Sequence, residues 1–93
     1  MDCEKLVLGN KCTIIRVEEL HAQMETLLQS GNDIEIDAKD VEQCDTAGLQ
    51  LLLIFHNELK KEGRSLKWLS PSEATLKAAK HIGLDGPLGL TSH

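Results

Sequence analysis

Ninety-three residues, a net charge of −5 and two aromatic side chains, Phe55 and Trp68, bound the protein at once. A chain this short supports one domain over 1–93, with a core of Leu, Ile, Val and Ala. It carries no Lys/Arg patch of the kind nucleic acid requires, and no apolar run near the roughly 20 residues of a membrane span.

In chain order, "MDCEKL" (1–6) has neither the basic nor the apolar region of a secretory signal, so a cytoplasmic protein is expected. "KLVLG" (5–9) reads as a short strand, and "CTII" (12–15) as either its continuation or the lead-in to a helix. From Arg16, Val17, Leu20, Met24, Leu27 and Leu28 share one helical stripe that Ser30-Gly31-Asn32 ends. "DIEIDA" (33–38) alternates with the two-residue period of a strand. "KDVEQCD" (39–45) reads as a loop anchored inward by Val41 and Cys44. A second helix is expected over 47–62, stopped by Gly63, and a third strand over 65–69. "SPSE" (70–73) places Ser70 at an N-cap, Pro71 at the first helical position and Glu73 at the third. Leu76, Ala79 and Ile82 continue that third helix to Gly83, and 84–93 reads as a tail. Strands alternating with helices predict an α/β fold. It is a small, mostly parallel β-sheet with about three helices packed mainly on one face.

Chemistry-bearing patterns are sparse. "LGNKC" (8–12) lacks the spacing of a phosphate-cradling loop, and "GLDGPLG" (83–89) follows a helix rather than a strand. His21, His56, His81 and His93 have no metal-binding spacing, and no Ser sits in a nucleophile elbow. Cys3, Cys12 and Cys44 form no CxxC pair and no zinc pattern; they read as three reduced thiols, Cys44 buried, rather than a redox or metal site. No catalytic residue, metal or cofactor is expected, and the protein is not expected to be an enzyme.

The stretch "QCDTAGLQLLLIF" (43–55) is different. Thr46 stands at a strand-to-helix turn, where its hydroxyl suits a helix cap. Gly48 weakens the first helical turn by about 1 kcal/mol relative to Ala, which points to another surface approaching the backbone. Free N–H groups and the helix dipole favour an anion there, and a phosphate on Thr46 would alter this edge sharply beside Asp45. One stripe, Leu49, Leu52, Leu53, His56 and Leu59, is expected to face the sheet. Leu51, Ile54 and Phe55 spread around the cylinder, so either neighbouring helices flank this one or part of it is exposed for a partner.

"IEIDAKDVEQCDTAGLQLLL" and "KKEGRSLKWLSPSEATLKAAKHIGL" resemble the STAS domain of bacterial anti-sigma factor antagonists, roughly over residues 33–84. The family's Asp-Ser-Ser/Thr-Gly-Leu motif reads here as Asp45-Thr46-Ala47-Gly48-Leu49. Thr replaces the commoner Ser, and "GNKC" (9–12) stands where the family carries a Gly-Glu-Leu-Asp turn. The resemblance implies a phosphoacceptor at Thr46 and a partner-binding surface of Asp45, Thr46, Ala47, Gly48, Leu49, Gln50 and Leu51. The implied partners are an anti-sigma-factor or histidine-kinase-like ATPase that phosphorylates Thr46, and a phosphatase that reverses it. "DTAGL" also resembles the cytoplasmic STAS subunit of lipid-transport ABC systems, which binds the ATPase. "LQLLL" resembles short stand-alone STAS proteins of chemotaxis kinase systems. All imply protein docking centred on Thr46, with neither nucleic-acid binding nor membrane insertion.

Overall fold

The structure, a computed structural model, describes residues 3–90; His93 and the first residues of "MDCEKL" lie outside them. Strands β1 (Cys3–Val7), β3 (Asp33–Asp37) and β5 (Leu66–Leu69) form a parallel sheet in the order β1-β3-β5. Two short strands, β2 (Lys11–Cys12) and β4 (Gln43–Cys44), pair separately, also in parallel. Helices α1 (Val17–Ser30) and α2 (Thr46–Lys61) provide the crossovers, and α3 (Glu73–His81) follows the last strand. The ambiguous 12–15 stretch resolves into the end of β2 and a 3₁₀ turn, Ile14–Arg16, that runs into α1.

Register explains why the helices gather on one side. Leu6, Ile36 and Trp68 are side-by-side partners, as are Lys5, Glu35 and Lys67. Paired residues of parallel strands point to the same face, so the first row enters the core and the second meets solvent. Helices α1 and α2 pack against the apolar side of the sheet and against each other, while α3 packs beside β4. The lysines flanking Glu35 place unlike charges next to each other across the outer face.

Helix α2 sharpens the expected stripe. Its buried side chains are Leu49, Leu52, Phe55 and Leu59, so Phe55 belongs to the core stripe, with Leu53 and His56 only half-buried beside it. The remaining apolar residues divide between packing and exposure. Leu51 packs against the core, whereas Ile54 is 60% exposed. Burial, then the charge of Lys60, pushes the His56 imidazole below its ordinary pKa, which favours its neutral form.

Three local readings change. Ser70 is not the cap of α3: it takes a left-handed φ of 44°, and the helix starts later, with Ser72 as N-cap. The Ser72 backbone N–H donates to the Ala38 carbonyl (3.1 Å), and its side chain accepts from the Thr75 N–H (3.1 Å), so a tertiary bond selects which serine caps. Glu73 consequently occupies the first turn, where the dipole favours an acid. Residues 84–90, the described part of the expected tail, are not loose either, and 91–93 lie outside the described residues. The Trp68 indole N–H donates to the Leu88 carbonyl at 2.8 Å, and Leu88 and Leu90 complete the core. Of the two loop anchors, Val41 is buried and Cys44 half-buried; the fully buried thiol is Cys12.

Candidate functional site

The site forms where β4 hands over to α2. Asp45 has extended backbone angles (φ −115°, ψ 176°) and is the N-cap of α2. One carboxylate oxygen accepts the Gly48 N–H at 2.9 Å, the other the Ile14 N–H at 3.0 Å. A single acid therefore caps the helix and fastens the 3₁₀ turn across the chain. Thr46 does not cap, contrary to the reading of its hydroxyl from sequence. It is the first helical residue, one position past the cap that Asp45 occupies. Its hydroxyl is exposed and makes no hydrogen bond among the described residues.

The cap assignment makes a prediction. Replacing Asp45 with Ala removes an acceptor from two N–H groups and is expected to cost about 1–3 kcal/mol. Thr46→Ala removes nothing bonded and should stay within about 0.5 kcal/mol of the parent. Urea unfolding of both variants separates the roles; comparable losses would return the cap to Thr46.

Gly48 shows why the turn lacks bulk. A Cβ there would lie 2.1 Å from the Cys12 carbonyl oxygen and 2.9 Å from the Cys12 sulfur. The surface approaching this backbone is thus the chain's own strand β2. The contact is reinforced by the Asp45 N–H, which donates to the Cys12 carbonyl at 3.2 Å.

The segment before the site is equally tied. The Arg16 guanidinium donates to the carbonyls of Leu8 and Lys11 and pairs with Glu19 at 2.9 Å, clamping the β1–β2 turn to the start of α1. Its hydrogen bond holds the Glu19 carboxyl below its usual pKa.

The residues expected to bind a partner divide by burial. Thr46 and Gln50 are exposed; Asp45, Ala47 and Leu51 are half-buried; Gly48 and Leu49 are buried and shape the surface from beneath. Sequence reasoning missed Ile14 and Ile15, which are 64% and 82% exposed on the 3₁₀ turn that Asp45 holds against α2. Two adjacent isoleucines lack a periodicity that would mark them as surface, so no local signal identified them. Together with Ile54, they add apolar area beside Thr46 and Gln50.

One groove borders this end and a second lies farther along α2. The first, of about 170 Å³, is lined by Cys44, Asp45, Thr46, Ala78, His81 and Ile82. The second, of about 230 Å³, runs between α1 and α2, with Met24, Leu28, Leu51 and Phe55 among its walls. Beneath the first groove, Cys12 and Cys44 are direct register partners. Their mutual hydrogen bond lowers the pKa of Cys12, against burial and the Asp45 charge. The same bond, then burial and the charges of Cys12 and Asp45, pushes the Cys44 thiol far above its ordinary range.

Among the described residues no group of three or more His, Cys, Asp or Glu side chains forms a metal-binding cluster. No helix there is long and apolar enough to cross a membrane. The exposed hydroxyl, the acid-capped turn and the apolar border suit a surface for another macromolecule. No curated protein matches the chain significantly. A family model described as "Mlab, STAS domain" matches residues 2–91, nearly the whole sequence, and the chain belongs to the STAS domain family.

Proposed function

We propose that the protein is a regulatory module of the anti-sigma factor antagonist type that switches partners through phosphorylation of Thr46 by a cognate ATP-dependent kinase. The observation that carries this reading is an exposed Thr46 hydroxyl left free because Asp45 does the capping. The module has no catalytic step of its own and acts in the cytoplasm. Its partner is an ATPase of the anti-sigma-factor or histidine-kinase-like class, and a phosphatase resets it.

Electrostatics makes the modification an effective switch. A phosphate adds about 1.5 to 2 negative charges. The Gly48 and Leu49 N–H groups already donate to the Asp45 carboxylate and carbonyl, so a capping acid competes for the helix terminus. The added charge sits beside Asp45 and next to the apolar residues Ile14 and Ile15. A partner surface matched to the neutral hydroxyl then meets repulsion and a desolvation cost.

With the purified kinase and MgATP, intact mass is expected to show one phosphate on the parent and none on Thr46→Ala. Thr46→Glu should weaken the complex about 100-fold, while Thr46→Ala binds like the parent. An active kinase that leaves the parent mass unchanged removes the switch.

The apolar border favours a second reading, a constitutive subunit of a lipid-transport ABC ATPase, since permanent interfaces are the more hydrophobic ones. On that reading the ATPase co-purifies with the protein, Thr46→Ala weakens the complex, and no phosphate appears.

A further inference from the structure

We propose that Cys12 and Cys44 are a dithiol that a hydroperoxide converts into a reversible intramolecular disulfide beneath the Thr46 end of the molecule. The two residues are directly opposed in the parallel β2–β4 pair, so their side chains leave the same side of the ribbon. Neighbouring strands lie about 4.8 Å apart. Disulfides span Cα separations of roughly 4.4–6.8 Å, so the backbone already holds the cysteines within bridging range.

Accessibility orders the chemistry. Cys12 is completely buried under Gly48, whereas Cys44 is half-buried and opens onto the groove shared with Thr46 and His81. Cys44 is thus the sulfur that an oxidant reaches, and its raised pKa makes this first attack the slow step. Its sulfur attacks one peroxide oxygen and the O–O bond breaks. The departing oxygen takes the thiol proton, leaving as water when the oxidant is hydrogen peroxide, and Cys44 becomes a sulfenic acid. The Cys12 sulfur then attacks the Cys44 sulfur. The S–O bond breaks, and hydroxide leaves as water with the Cys12 proton. Two thiols are oxidised to one disulfide, and one peroxide is reduced to two waters. The lowered pKa of Cys12 suits it to this second, resolving step.

The bond would act where the surface is built. Cys12 supports Gly48, its carbonyl accepts from Asp45, and Asp45 holds both Gly48 and Ile14. Tightening β2 against β4 restrains that whole junction. The disulfide stands whether or not Thr46 is phosphorylated, because it is read from the thiols alone.

The test uses the full chain with Cys3→Ser, which removes the exposed thiol capable of joining two molecules. The variant is treated with hydrogen peroxide, quenched with iodoacetamide in denaturant and mapped without reduction. The expected product is a peptide pair joined through Cys12 and Cys44, monomeric, two hydrogens lighter than the dithiol, and abolished by dithiothreitol. Amide exchange at Gly48 and Ile14 should slow in the oxidised form. Recovery of both cysteines as alkylated thiols, or as sulfinic acids without linkage, overturns the disulfide. A linked peptide with unchanged exchange at both amides overturns its action on the Thr46 end.

Discussion

Gly48→Ala is expected to destabilise the protein by about 2–4 kcal/mol, although helix propensity alone favours Ala by about 1 kcal/mol. The new methyl would sit 2.1 Å from the Cys12 carbonyl oxygen and 2.7 Å from its carbon. These are backbone atoms of β2, held by pairing with β4 and by the Asp45 N–H, so no side-chain rotation relieves the clash. Either α2 backs away and exposes Leu49 and Leu52, or β2 moves and breaks the junction. For a domain of this size, a loss of that order lowers the melting temperature by roughly 10–30 °C. Thermal and urea unfolding followed through Trp68, the single tryptophan, would measure it. The sign decides the matter, since a stabilised variant means that β2 does not rest on the helix backbone.

Arg64→Met is expected to cost about 2–4 kcal/mol through a different end of the fold. The Arg64 side chain is 8% exposed, and its guanidinium donates to the carbonyls of Leu27, Leu28 and Asn32, each at 2.8 Å. It also pairs with Glu62 at 2.8 Å. The helix α1 ends at Ser30, with Gly31 in the left-handed region at a φ of 79°, which leaves its last carbonyls without backbone donors from the helix itself. Arg64 supplies donors from across the chain and places a cation at the negative end of the helix dipole. Methionine fills much of the volume but strands the Leu28 and Asn32 carbonyls, while the Leu27 carbonyl keeps the Ser30 hydroxyl at 2.7 Å. Lysine keeps the charge but concentrates its donors at one point, so Arg64→Lys should recover only part of the loss. Urea midpoints of the parent and both variants test this. Equal stability of parent and Arg64→Met would mean that water serves those carbonyls as well as arginine does.

How far each feature was legible follows from how local its signal is. The strand β3 announced itself through the alternation of Ile34 and Ile36 with acids, and the register with β1 and β5 buries those isoleucines. The ends of α1 and α2 were legible to within a residue or so, because Gly31 and Gly63 act on their immediate neighbours. The cap of α3 was misplaced because Ser70 and Ser72 are both good caps, and the choice rests on a bond to distant Ala38. The same ambiguity gave Thr46 the role that Asp45 holds. Both residues have an acceptor oxygen; the second partner of Asp45, Ile14, is distant in sequence.

By itself, then, the sequence determined the order of the three sheet strands and three helices, but not the short pair β2 and β4, the second of which lies in a stretch read as a loop. It also determined the side of the sheet that is apolar and the Asp45–Leu49 turn that carries the family resemblance. Each of these is written in periods and turn residues spanning a few positions. Tertiary structure alone decided that Gly48 makes room for Cys12 and that Cys44 lies opposite that thiol. It also decided that Arg64 completes α1, that Trp68 draws Leu88 into the core, and that Ile14 and Ile15 stand exposed beside Thr46. Those contacts join segments far apart in the chain. They exist only after parallel crossovers bring the segments together, and nothing in the spacing of the residues encodes which distant backbone each will meet.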